Sequence, residues 1–455
     1  MRLLIVSSAV VLVVAAVWCT SRQSVSGVAA NSSSVRVVHA TAEPPGDGLI
    51  VHEWGTFTSF SGSDGVRLEF RPLADEDLPP FVLDRFLQSG VTNPFSKSQI
   101  RVRVRMETPV TYFYTNRERH VNARVSFPDG LLTEFYPPVA RMEPSYKLGE
   151  RLPLKRSSLD WGDIHLLPTD GPQAHADSQR LLPKSDAKYH YGHARETDAA
   201  LVHVRLSKPD AARPLVPSGN FYEKFLFYRG VGNFELPLKL SAASDGTFEL
   251  VNSGRDPLRS LFLVEVDGQA VRFVAHDQVA VGGRLTLARS AKPTTIDDLA
   301  EAVEKALVKE GLYEKEAAAM VNTWRSSWFG ETGTRLFYVV PRAITDELLP
   351  LEITPQPQQT VRVLVGRMEI MTPEQESRIE SIVRKSAAAR EAEFQAATAK
   401  GRQPTYAGPT ELSTLGRLAE PSLARVCAIS QDPAIRAEAR QLLEQMAVKA
   451  GGRRN

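Results

Sequence analysis

Ile100-Arg101-Val102-Arg103-Val104-Arg105-Met106 alternates apolar and basic residues without a break. Period two places Ile100, Val102, Val104 and Met106 on one face and the three arginines on the other, the mark of a half-buried strand. Similar runs follow at residues 110–114, 123–127, 201–206 and 225–228. A later set occupies 248–252, 261–266, 270–275 and 284–288. Pro128-Asp129-Gly130, Ser244-Asp245-Gly246, Asp267-Gly268 and Gly282-Gly283 separate these runs. Asp-Gly between alternating segments signals a hairpin, because the turn needs a positive φ that glycine accepts. Residues 49–290 are therefore expected to form a β-rich region of two sandwich-like sheets.

The pattern changes after residue 290. Thr295 and Asp298 form a capping box before an apolar-periodic run that ends at Gly311. A second helix is predicted over 314–328, stopping at Gly330. Its Trp324 and Trp328 are four apart and share the face that packs on the sheets. Strands return at 335–340 and 361–365, and Thr372-Pro373-Glu374 opens a long helix with proline at its first position. Residues 291–400 thus mix helix and strand. After a linker at 401–409, a helix pair starts at Glu420-Pro421 and Asp432-Pro433. The fold class is mainly β with a helical C-terminal part.

The N-terminus sets the expected compartment. Met1-Arg2 and the uncharged run from Leu3 to Trp18 match the basic and apolar regions of a secretory signal, placed at residues 1–30. An uncleaved membrane anchor is the alternative, although the run is shorter than the roughly 20 residues of a full span. Residues 31–48 read as a flexible leader, and the protein is expected to be secreted or periplasmic. The formal net charge of +2 at pH 7 gives no bulk attraction to nucleic acid. Cys19 and Cys427 are the two cysteines. A mature chain holding only Cys427 forms no internal disulfide and no cysteine-based zinc site.

Two resemblances enter here. Val51-His52-Glu53-Trp54-Gly55-Thr56-Phe57-Thr58 and Arg105-Met106-Glu107-Thr108-Pro109-Val110 are similar to segments of an uncharacterised family of secreted bacterial proteins. That resemblance implies export and no particular chemistry. Leu415 to Leu423, followed by Asp432-Pro433 and an Arg/Ala-rich helix, resembles a single HEAT-type repeat over residues 410–450. One repeat cannot bury its apolar face alone, so it is either a docked cap or a partner surface.

No His-Glu-x-x-His, Gly-x-Ser-x-Gly, phosphate-cradling loop or dinucleotide fingerprint is present. Instead, His165, His175, His190, His193 and His203 crowd one region. Most lie in 146–199, read as a long loop without strands. His190 and His193, three apart, with His165 and His52, are the candidate ligands of one transition metal: zinc, copper or iron. Glu196 or Glu53 would be the general base on a metal-bound water of a hydrolase or oxidoreductase. The competing reading leaves these histidines solvated. In a regular strand His52 and Glu53 point to opposite faces, so they do not share a site.

The arginines 101, 103 and 105 suggest a grip on an anionic polymer, or a solvated face paired with acidic neighbours. Tyr112-Phe113-Tyr114, Phe135-Tyr136 and Phe221-Tyr222 are sugar-stacking candidates or core. The alternative to an enzyme is a non-enzymatic envelope binding or scaffold protein, partnered by an envelope protein or polysaccharide. It carries an expected apolar patch near Cys427 and Leu443.

Overall fold

The computed structural model describes residues 48–72, 77–88, 91–92, 100–145, 152–207, 217–268 and 270–452. The expected signal and nearly all of the leader lie outside the described residues. Among those described, no helix is long and apolar enough to cross a membrane.

β1 (Ile50–Ser61) runs through the middle of a ten-stranded sheet. It pairs in parallel with β21 (Gln359–Ile370) and antiparallel with β6 (Val104–Tyr114). Beyond β21 come β19 (Gly333–Val339), β16 (Leu258–Asp267) and β17 (Ala270–Val279). Beyond β6 come β13 (Leu226–Gly232), β8 (Gly130–Tyr136) and β3 (Leu83–Asp84), while β2 (Arg67–Leu68) pairs with the end of β1. A second sheet runs in the order β12 (Gly219–Glu223), β11 (Leu201–Leu206), β10 (Ser157–Leu167), β7 (Arg119–Phe127) and β20 (Leu351–Thr354). β9 (Arg141–Glu143) also joins β10. The third sheet is β14 (Leu238–Ala242), β15 (Thr247–Asn252) and β18 (Arg284–Ala288), and β4 (Leu87–Gln88) pairs with β5 (Val91–Thr92).

The two faces of the large sheet are covered differently. Val51 and Phe57 of β1 join Val121, Val125 and Leu166 of the second sheet and Leu250 of the third in one core. Ile50 and Trp54 point the other way, into a core with α2 (Ile296–Lys309) and α3 (Glu314–Phe329). Burying a large apolar side chain there contributes about 1.5–3 kcal/mol, and Trp328 is fully buried. The expected capping box is present: Thr295 Oγ1 accepts from the Asp298 amide, and the Asp298 side chain accepts from the Thr295 amide. Trp324 and Trp328 stack with ring centroids 6.5 Å apart, on the sheet-facing side as predicted.

α5 (Pro373–Ala399), α6 (Ala419–Ile429) and α7 (Pro433–Gly452) cover the remaining part of this face. Leu423, Val426, Ile435 and Leu443 pack with Phe60 and Phe70, and Cys427 is partly buried against them. The C-terminal pair is therefore docked, and Leu443 is not at an exposed patch. Two shorter helices, α1 (Pro172–Leu181) and α4 (Arg342–Leu348), complete the described fold.

Two sequence readings need correction. Strand β6 starts at Val104, and all of it is buried, because both faces of the large sheet are covered. The arginines consequently part company: Arg101 is exposed, Arg103 binds Asn233 and Glu235, and Arg105 is buried in ion pairs. The supposed loop 146–199 contains β10, α1 and a 3-10 turn at His190–Arg195. A bulge beside Gly162, at φ +67°, hides the strand from a period-two search. The inward residues shift from Leu159 and Trp161 to Ile164 and Leu166, so the alternation changes parity mid-strand.

Candidate functional site

The two recognised segments are neighbours in space. His52 to Thr58 lies on β1 and Arg105 to Val110 on β6, paired from Trp54↔Val110 to Thr58↔Arg105. As expected from strand geometry, His52 and Glu53 serve opposite faces. His52 Nδ1 is 2.7 Å from Glu316 Oε2 on α3, and Tyr313 stacks on its ring at 4.3 Å. Tyr114 donates to the other Glu316 oxygen at 2.7 Å. Burial, together with Glu316, pushes the Tyr114 hydroxyl well above its usual range. On the reverse face Glu53 accepts from Thr111, Tyr228 and Arg362, the last at 2.6 Å. Both side chains are enclosed and tie layers together.

The remaining candidates are dispersed. His190 Nε2 lies 3.3 Å from Ser326 Oγ, near the C-terminal end of α3. Glu316, which holds His52, is ten residues earlier, about 15 Å along a helix. His193 faces Glu196 at 3.0 Å on the protein surface. His165 belongs to the second sheet, beside His120 and His203. The structure therefore does not bring His52, His165, His190 and His193 together. Among the described residues, no group of three or more His, Cys, Asp or Glu side chains is placed to hold a metal ion.

A different constellation gathers on the helical face of the large sheet. Thr58 on β1 is opposite both Arg105 and Arg367. Residues two apart along a strand share a face, which adds Glu107 and Glu369. Glu107 accepts from Thr58 at 2.7 Å and pairs with Arg105 at 3.2 Å and Arg417 at 3.1 Å. Arg417 also reaches Glu331 at 3.2 Å, and Glu331 accepts from Arg367 at 2.9 Å. Glu369 bridges Arg367 and Arg335, while Asp77 receives two bonds from Arg229, at 2.7 and 2.9 Å. Arg417 comes from the segment Thr410–Leu418, where Gly416 at φ +52° breaks the helical path just before it.

Burial alone raises the Glu107 carboxyl, but Arg417, Arg105 and Arg367 outweigh it and hold it down to about 2. Glu369 is likewise raised by burial and, on balance, lowered by Arg335 and Arg367. Asp77 is driven far down by Arg229 and Arg105 against the same burial effect. These three carboxylates stay ionised at ordinary pH. Above the network lies a cavity of about 800 Å³, bounded by Glu331, Arg335 and Arg417 below and by Leu412, Leu442 and Met446 of the cap. Elsewhere, burial pulls the Lys224 amine down to about 8. That amine is enclosed and donates to the Ala199 carbonyl.

Sequence reasoning missed this network. Its only local trace is Arg105-x-Glu107 and Arg367-x-Glu369, a basic and an acidic residue at the same strand parity.

No family model matches the sequence, and no curated protein matches it. Among solved structures it is similar to the yeast delta-COP-I mu-homology domain, both alone and complexed with the Dsl1 WxWxV peptide. Each comparison has 8% identity and a TM-score of 0.26, covering 72% of this chain and 100% of the other. A likeness at that score bears on neither fold nor function.

Proposed function

We propose that this chain is an extracytoplasmic binding protein of the cell envelope, with its ligand site in the cavity between the charge network and the C-terminal helices. The observation that carries the reading is the cavity of about 800 Å³ with ion-paired guanidinium groups on one wall and Leu412, Leu442 and Met446 on the other. A volume of that order takes a drug-sized ligand, and convergent polar groups on an apolar wall fix its orientation. The Arg417 side chain is 27% exposed, more than those of Arg105, Arg335 and Arg367, so it is the arginine of the network nearest to an incoming anion. Ser413, Thr414 and Gln445 add neutral polar groups to the rim. The chemistry suits a hydroxyl-rich, carboxylate-bearing saccharide.

Binding fits this site better than acid–base catalysis. A general acid needs a proton near neutral pH, whereas Glu107, Glu369 and Asp77 are all held below the ordinary carboxylate range. The metal-dependent hydrolase or oxidoreductase has weaker support, because its four histidines occupy separate places.

The test is thermal stabilisation by acidic oligosaccharides, compared with neutral ones of equal length. Stabilisation by the acidic series is expected, lost in Arg417→Ala and in Ser413→Trp, which puts a bulky side chain at an exposed cavity-lining position outside the network. Arg101→Ala leaves it unchanged. No stabilisation by any acidic saccharide, or stabilisation that survives Ser413→Trp, rejects the reading.

A further inference from the structure

The second sheet carries an aligned row of rings on its solvent face. His120 on β7 is register partner to His165 on β10, His165 to His203 on β11, and His203 to Tyr222 on β12. The His120 and His165 rings stack at 4.6 Å and 6°, His203 stands 6.1 Å from His165, and Tyr222 stacks on His203 at 4.4 Å. Three imidazoles, 83 residues apart in sequence from first to last (203 minus 120), therefore meet on adjacent strands. Each also has one ring nitrogen held. Asp163 binds His120 Nδ1 at 2.9 Å, Glu118 binds His165 Nε2 at 3.1 Å, and Asn220 Oδ1 is 3.0 Å from His203 Nε2.

We infer that the His120–His165 pair is a two-imidazole surface site for a borderline divalent transition metal, Cu²⁺ above all. This lies apart from the cavity and does not depend on it. A carboxylate only accepts, so the nitrogen facing it carries the proton and the opposite nitrogen of the neutral ring keeps its lone pair. That leaves His120 Nε2 and His165 Nδ1 as donors. Carboxylates in this position orient metal-binding imidazoles and raise their basicity. Directly opposed strand residues have Cβ atoms about 4.5–5.5 Å apart, close enough for two rings to share an ion at about 2 Å from each nitrogen. Chelation turns one ring out of the parallel stack and replaces the stack with two metal–nitrogen bonds. His120 is 61% exposed, and its partner Asp163 is 69% exposed and can follow the ring as it turns. Copper heads the affinity order for imidazole donors.

The test is calorimetric titration of the untagged full chain with Cu²⁺ at neutral pH in a non-coordinating buffer. A single tight equivalent is expected, weakened about tenfold or more in Asp163→Asn and further in His120→Ala and His165→Ala. His175→Ala and His276→Ala serve as controls, since both histidines are exposed and outside the row. Binding that is unchanged in His165→Ala, or equally weakened in His175→Ala, reflects scattered single-imidazole coordination and overturns the inference. Unchanged metal-free melting of each variant shows that the fold is intact. Loss of cavity binding with retained copper binding, or the reverse, separates the two sites.

Discussion

The network beneath the C-terminal helices and the histidine row on the second sheet use similar materials, nitrogen cations or bases beside carboxylates, in opposite solvents. In the first, Glu107 and Glu369 are essentially unexposed, and Arg105, Arg335 and Arg367 surround them. In the second, Asp163 is 69% exposed and Glu118 is 68% exposed. Removing water makes each unpaired charge costly, so the buried groups are consumed by one another. Exposure removes that demand and leaves a lone pair on each imidazole. Burial makes the charges of Glu107, Glu369, Arg335 and Arg367 structural, and capacity for a ligand is left to partly exposed groups, Arg417 at the edge of the network and the imidazoles of the row.

The sharpest way to break that contrast is to remove one buried partner. Glu369→Ala removes the carboxylate shared by Arg335 and Arg367, both at 1% exposure, leaving Arg335 to backbone carbonyls and Arg367 to Glu331 and Ser327, and should cost about 3–5 kcal/mol in a denaturant titration. A loss below about 1 kcal/mol would mean that water already reaches those guanidinium groups.

Acid titration sharpens it next. The Glu107 carboxyl, held to about 2 in the folded protein, has an ordinary value of 4.5. A depressed folded value stabilises the protein fully above the unfolded value and loses that contribution as pH falls through the folded one. Unfolding free energy should therefore drop between about pH 5 and about pH 2, by roughly 3 kcal/mol from this group. Glu107→Gln should flatten that part of the profile. Parallel profiles for the two proteins would remove Glu107 from the network.

These effects also explain what the sequence made visible. The capping box at Thr295 is legible because its chemistry is local, confined to the four residues from Thr295 to Asp298. The opposite facing of His52 and Glu53 is legible because strand alternation is obligatory. The network is not legible, since Glu107 and Arg417 are 310 positions apart, and Arg105 in an alternating run looks like any solvent-facing residue. Only the cover over the second face of the sheet reverses that meaning. The histidine row was hidden by the bulge at Gly162, which removed β10 from view and left His165 on an apparent loop. Counting histidines groups His165 with His52, His190 and His193, which the structure keeps apart, and passes over His120.

An intermediate effect belongs to the His52 side of β1. Tyr114→Phe removes the donor to Glu316 while His52 keeps the other oxygen. The expected loss is about 1–2 kcal/mol, since a buried acceptor is left short of one bond. A loss matching Glu369→Ala would mean that the buried Glu316 carboxylate depends on Tyr114 for more than one hydrogen bond.

The smallest effect should come from the row itself. His165→Ala is expected to change stability by no more than about 1 kcal/mol, the range of a cross-strand side-chain pair. Its side chain is 26% exposed, and its carboxylate partner is in water. Surface ion pairs contribute about 0–1 kcal/mol, and a cross-strand side-chain pair about 0.2–1 kcal/mol. The alignment of three imidazoles therefore gains almost nothing in folding, which is why a ligand is the more economical explanation for it. A metal-free loss above about 1 kcal/mol would reverse that inference. The row would then be a cross-strand packing device, and copper binding, if present, a by-product of it.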